Sequence, residues 1–236
     1  GAASIVDALQ QGADIVITGR ASDPSLAVAP LAYEFGWSFE DYDKIAAATV
    51  LGHIIECGPQ CTGGNYTDWR DVQDFAHIGF PVVEAYEDGS FIVTKHDGTG
   101  GLINVESVTS QLLYELGDPA RYLSPDCVAD FTTIQMEQDG PNRVRVHGVK
   151  GLPATDSFKV SMSYANGYKI LATLCIGGPD AIEKAHIVSD MVFSRMKMLG
   201  ADIPAEDRFL ELFGSNVLYK GIVESPDQPH EILMRL

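Results

Sequence analysis

Two Thr-Gly-Gly turns hold the densest chemistry in this sequence. The first is Thr62-Gly63-Gly64-Asn65, preceded by Cys57-Gly58-Pro59-Gln60-Cys61. The second is Thr99-Gly100-Gly101-Leu102-Ile103-Asn104, introduced by Lys95-His96-Asp97-Gly98. Adjacent glycines cost backbone entropy and bury nothing, so they belong where the chain needs positive φ or a close approach. The second turn runs into an expected helix, where successive N–H groups can converge on a carboxylate or phosphate. The plainer alternative is a tight turn with Asn104 as a helix cap. Lys95 adds a positive charge, and His96 an imidazole suited to acid–base work. Gln60 and Asn65 supply amides that could orient polar substrate atoms. The spacing matches neither the dinucleotide nor the P-loop fingerprint, so it supports neither NAD nor ATP binding.

Other candidates lie nearer the N-terminus. Arg20 and Asp23 follow Ile15-Val16-Ile17, which reads as a buried parallel strand, and open α/β sheets bind ligands at the C-terminal ends of their strands. Arg20 could clamp a carboxylate in bidentate fashion. Asp23 is either a proton-transfer group or, with Pro24 behind it, an N-cap. His53, Cys57 and Cys61 are four apart, as zinc ligands on one helix face could be, but Gly58-Pro59 breaks the helix before Cys61. Cys57 is a candidate nucleophile or a buried structural thiol. Glu56 is a general base or a solvated helix end. Met191, Met196 and Met198 read as core filler.

These residues need a framework to hold them. Ser4 can cap a short first helix, and the strand at Ile15–Ile17 follows it. A helix kinked by Pro30 runs toward Phe35, and an Ala-rich helix spans about Asp43–Glu56. Val82–Tyr86 and Phe91–Lys95 pair as a hairpin around Glu87-Asp88-Gly89. Val105, Val108, Leu112, Leu113 and Leu116 make one face of a helix, ended by Gly117. The texture changes near Ser124-Pro125-Asp126. Phe131–Glu137 and Arg143–His147 read as one hairpin; Ser157–Tyr164 and Tyr168–Ile176, across Asn166-Gly167, read as another. A long helix covers Asp180–Leu199, then a short helix around Arg208–Phe213 and a Pro-containing loop. The expected fold class is α/β followed by α+β: a partly parallel sheet with flanking helices, then antiparallel hairpins packed with a long helix. Residues 1–127 form the α/β segment with the glycine-rich loops, and 128–236 the hairpin–helix segment.

Composition narrows the partners. The 236 residues carry a formal charge of −17, which argues against nucleic acid and anionic lipid surfaces. No apolar run approaches the roughly 20 residues of a membrane helix. The expectation is a cytoplasmic globular protein that takes a small acidic molecule, with a homo-oligomer compatible. The four cysteines are few and unevenly spaced, which suits a reducing compartment. The opening helix and strand, without an initiator Met, look like the middle of an α/β repeat, so a longer polypeptide is expected.

Three ordered strings carry a resemblance: Gly12–Arg20 with Asp23, His53-Ile54-Ile55-Glu56-Cys57-Gly58 through Gln60 with Thr62-Gly63-Gly64-Asn65, and Gly98-Thr99-Gly100-Gly101. Together they closely resemble the acyclic terpene utilisation family. The resemblance covers most of the chain. It implies a protein longer at both ends and a small non-cysteine residue at position 61. Bacterial members lie in pathways that degrade citronellol and geraniol through CoA thioesters. One is proposed to split a branched 3-hydroxyglutaryl-CoA into a β-ketoacyl-CoA and acetate. The resemblance therefore implies an acyl-CoA lyase-type enzyme with a CoA thioester as substrate; the cofactor is left open.

Such a cleavage needs a base for a hydroxyl proton and electrophilic support for the departing enolate. On this reading His96 or Asp23 is the base, and Arg20 and Lys95 neutralise charge. Gly98, Thr99, Gly100 and Gly101 offer N–H donors ahead of Asn104, and Gln60, Gly63, Gly64 and Asn65 frame the substrate. Two alternatives stand beside it: a non-catalytic binding or assembly protein, and a hydrolase using Cys57.

Overall fold

The computed structural model describes residues 1–215, 217–224 and 229–236. Asn216 and residues 225–228, which include part of the expected Pro-containing loop, lie outside the described residues. The chain forms two compact units, Gly1–Val160 and Ser161–Leu236. The change in sequence texture falls earlier, near 127–128.

In the first unit the chain runs α1 (Ala3–Gln10), α2 (Ser25–Phe35), α3 (Tyr42–Ile55), β1 (Pro81–Ala85), β2 (Phe91–Lys95) and α4 (Val105–Leu112). It continues through β3 (Tyr122–Leu123), β4 (Val128–Asp130), β5 (Gln135–Gly140), β6 (Arg143–His147) and β7 (Lys150–Leu152). One sheet has the order β1-β2-β6-β5 and a second β3-β4-β7, with every ladder antiparallel. Helix α3 is the centre of this unit. Every residue from Ile45 to Ile54 is buried, and the helix packs against α2, α4, β1, β4 and β7. Its Ala46-Ala47-Ala48 run combines high helix propensity with small side chains that admit neighbours from all sides. Strand β2 buries Phe91, Ile92 and Val93 in succession because it is an inner strand covered on both faces.

The second unit holds β8 (Thr173–Gly177), α5 (Ala181–Met198), β9 (Glu211–Phe213) and β10 (Glu231–Arg235), with sheet order β8-β10-β9. Ile176, Ala181, Ala185, Ile232 and Met234 are its buried cluster. Among the described residues no helix is long and apolar enough to cross a membrane.

Several expectations are corrected. Among the described residues the fold is mixed, with helices and three small antiparallel sheets, and the expected parallel sheet is not among them. Ile15–Ile17 forms no strand, and Ile15 and Ile17 are 81% and 92% exposed. A strand needs a neighbour, and no described strand lies beside it. The hairpin expected across Asn166-Gly167 is also absent. Only Thr173–Gly177 is a strand there, and its ladder partner is β10 at the far end of the unit. The short helix expected near Arg208–Phe213 is a 3-10 turn at Ala205–Asp207 followed by β9. Helix α1 begins at Ala3 with Ala2 at its cap position, so Ser4 lies inside it. The face expected to run to Leu116 ends as helix at Leu112.

Candidate functional site

The strongest site sits at the C-terminal end of α3. His53, in the last turn, has only 2% of its side chain exposed, and Glu56 at the cap position has 15%. His53 Nδ1 and Glu56 Oε1 are 3.0 Å apart. An ionised carboxylate can only accept, so Nδ1 carries the hydrogen and donates to it; when the ring is neutral, Nε2 is an acceptor. His53 Nε2 and Glu56 Oε2 are both buried and have no partner, the only such side-chain atoms among the described residues. Buried polar groups are nearly always paired, and an unpaired one costs about 1–3 kcal/mol. A carboxylate at a helix C-terminus also faces the negative end of the helix dipole. The local sequence thus holds a histidine–carboxylate pair in an unfavourable position, with its outer atoms unsatisfied, which is how a base is oriented for proton transfer.

Two rings close over the imidazole. Tyr122 lies 5.4 Å and Phe131 5.6 Å from the His53 ring, centroid to centroid, and the two stack on each other at 4.8 Å. Burial first, then the charges of Glu56, Asp23 and Glu115, push the Tyr122 phenol up to about 12. Asp23 gets within range because Gly52 has no side chain. A Cβ there would lie 2.6 Å from Pro24 Cα, so only glycine lets the start of α2 settle on the last turn of α3. Behind the pair, the fully buried Gln111 donates its Nε2 to the His53 carbonyl (3.1 Å) and accepts from Gln60 Nε2 (3.2 Å). This satisfies a carbonyl that the helix end would leave open.

The residues expected from sequence distribute unevenly around this centre. Asp23 is no N-cap: Pro24 holds the cap position of α2 and no side chain caps it. Its carboxylate is exposed, with its charge felt at Tyr122. Arg20 is exposed beyond the Ile15–Ile17 segment. Gln60 is tied to Gln111. Lys95 Nζ donates to the Thr99 carbonyl (2.7 Å), and Thr99 Oγ1 to the His96 carbonyl (2.6 Å), so these residues brace their own turn; the His96 side chain is exposed.

The two Thr-Gly-Gly turns turn out to meet. Thr62 O accepts from Leu102 N (2.8 Å), Gly101 N donates to Gln73 O (2.7 Å) and Gly100 N to His77 O (2.8 Å), while Thr99 N reaches His96 O. The N–H groups of Thr99, Gly100 and Gly101 are therefore occupied by carbonyls, where an anion was expected. Gly63 N and Asn65 N reach Gln60 O, and Gly64 N reaches Pro59 O. Gly101 has φ +94 and a Cβ there would lie 2.8 Å from Thr62 O; one on Gly100 would overlap the Asp74 carbonyl. The glycines permit this close loop-on-loop packing. Gly98 lies at the exposed tip with φ +74. Asn104 caps α4, accepting from Ser107 N (2.7 Å) in a reciprocal capping box.

Cys57 is half-buried and free, while Cys61 is buried and its thiol is pushed up to about 12 by burial. Among the described residues no three His, Cys, Asp or Glu side chains are grouped to hold a metal ion.

A family model, the acyclic terpene utilisation family protein AtuA, matches residues 1–236. The chain belongs to this family. No curated protein and no solved structure matches it. Membership joins the chain to a family named for breaking down acyclic terpenes, so a catabolic role is consistent with it. The string His53 to Gly58, one of those on which the resemblance rests, contains the His53–Glu56 pair. Sequence reasoning weighed the two residues apart, as a metal ligand and as a base. Their i, i+3 spacing at a helix end was the signal that joins them. Tyr122 and Gln111 carried no local signal.

Proposed function

We propose that this chain is an enzyme of acyclic terpene or branched-acid catabolism that cleaves a carbon–carbon bond in a branched 3-hydroxyacyl-CoA by a retro-aldol-type step. The observation that carries the reading is the buried, unpartnered Nε2 of a histidine whose other nitrogen is held by a carboxylate. In the step, Nε2 takes the hydroxyl proton, and the electrons of that O–H bond form the new carbonyl. The carbon–carbon pair leaves as an enolate, which recovers the proton at carbon. Glu56 fixes the ring and stabilises the imidazolium.

Asp23 is the runner-up base. Arg20 and His96, both exposed, are the proposed contacts for the acidic end of the substrate, with Lys95 adding charge. Gln60, Gly63, Gly64, Asn65, Gly98, Thr99, Gly100, Gly101 and Asn104 act through the loop framework around them. The test is incubation with a panel of branched CoA thioesters and mass spectrometry of the products. Turnover that drops by about a hundredfold or more in His53→Gln, with an intact melt, supports the reading. Turnover unchanged in that variant removes it.

A further inference from the structure

His53 Nε2 and Glu56 Oε2 are sealed from solvent, so something must move before either meets a ligand. Of the two rings over the imidazole, Phe131 is 8% exposed and Tyr122 half-buried, so Tyr122 is the ring on the solvent side. It comes from β3, a strand of two residues held by a short ladder to β4. Once it swings out, a ligand finds two acceptors, Nε2 and Oε2, and one donor, the phenol. Burial and the surrounding charges keep that phenol protonated. An incoming carboxylate would meet the carboxylates of Asp23, Glu56 and Glu115. A neutral hydroxyl supplies the hydrogen that the acceptors lack.

We propose that Tyr122 is a catalytic residue of this site: its ring is the cover that the ligand displaces, its phenol hydrogen-bonds the ligand oxygen, and the group it admits is a neutral hydroxyl, with any acid group held elsewhere. This rests on the reading of His53 as the base. In the cleavage step the hydroxyl proton goes to Nε2, the carbon–carbon pair passes to the departing enolate, and the phenol donates to the oxygen where negative charge collects. The proton on Nε2 then returns to the enolate carbon, so no co-reactant is needed.

The test uses the full chain with 13C-labelled histidine and tyrosine, read by NMR with assignments from His53→Gln and Tyr122→Phe. The probes are 3-hydroxy-3-methylbutyrate, its deoxy analogue 3-methylbutyrate, and 3-methylbutylamine. The hydroxy acid should shift both resonances and bind about tenfold tighter than the deoxy acid, the worth of one good hydrogen bond. That preference should vanish in His53→Gln and shrink about threefold or more in Tyr122→Phe, whose melt should match the wild type. Equal binding of the two acids, binding of neither, or tighter binding of the amine overturns the proposal. A preference kept in Tyr122→Phe but lost in His53→Gln overturns the role of Tyr122 and leaves the base standing. A preference kept in His53→Gln overturns the base itself.

Discussion

The His53–Glu56 pair should behave as one closed unit, and a double-mutant cycle measures this. His53→Leu leaves the Glu56 carboxylate, with only 15% of its side chain exposed, without its ring partner. Glu56→Leu leaves the Nδ1 hydrogen of a 2%-exposed ring unmatched, beside an Nε2 that already has no partner. A buried hydrogen bond to a charged group contributes about 1.5–3 kcal/mol, and each stranded polar atom costs about 1–3 kcal/mol. Each single change should therefore destabilise by about 2–4 kcal/mol. The double change removes every stranded atom and fills the space with hydrocarbon, so it should fall within about 1 kcal/mol of the wild type. The coupling is then roughly 3 kcal/mol or more. For a chain of this size each kcal/mol moves the melting point by about 2–4 °C, so the singles should melt roughly 5–15 °C lower and the double near the parent. Thermal melts of the four proteins, with denaturant midpoints, supply the cycle. A double variant as unstable as the sum of the singles would refute the reasoning, because the two side chains would then be acting on separate neighbours.

Two further outcomes follow from the same geometry. The Tyr122 phenol is raised from 10.0 to about 12, so its contribution to stability is full below pH 10 and fades as pH rises toward 12. For a half-buried, partly screened phenol the effect is about 1 kcal/mol. Stability measured from pH 9 to 12 should fall more in the wild type than in Tyr122→Phe, which has no proton to lose there; identical slopes would contradict the assignment. Gly100→Ala should cost about 2–3 kcal/mol because its Cβ overlaps the Asp74 carbonyl, whereas Gly98→Ala, in open space at φ +74, should cost only about 1 kcal/mol. Equal losses would mean that the second turn is not packed closely against the Asp74 carbonyl.

What could be read from the sequence was what neighbours along the chain decide. Helix α4 has its cap at Asn104 and its apolar period within a dozen residues, and the β1–β2 hairpin has its turn between its own strands. The segment Ile15–Ile17 shows the limit. Its apolar character is plain in the sequence, but a ladder needs a second strand that the segment itself does not supply. Tyr168–Ile176 looked like half of a local hairpin, and its C-terminal part instead pairs with β10, because the alternating pattern specifies a strand without naming its partner.

The site divides in the same way. Doubled glycines announce positive φ and close approach, and both are present. Gly100 and Gly101 donate to His77 and Gln73, and Gly63 and Gly64 to Gln60 and Pro59 just before them, so the donors face carbonyls. The spacing of His53 and Glu56 was visible. That their outer atoms lack partners depends on Tyr122 and Phe131, which arrive from far along the chain.

The central claim is that His53 is a base in a carbon–carbon cleavage, and product analysis tests it most directly. Wild-type protein and His53→Gln are each incubated with the panel of branched 3-hydroxyacyl-CoA thioesters, and the products are weighed by mass spectrometry. The account predicts two fragments whose masses sum to that of the substrate, formed by the wild type and about a hundredfold or more slower by the variant. Fragments formed at the same rate by both proteins, or no cleavage of any thioester by the wild type, would contradict it.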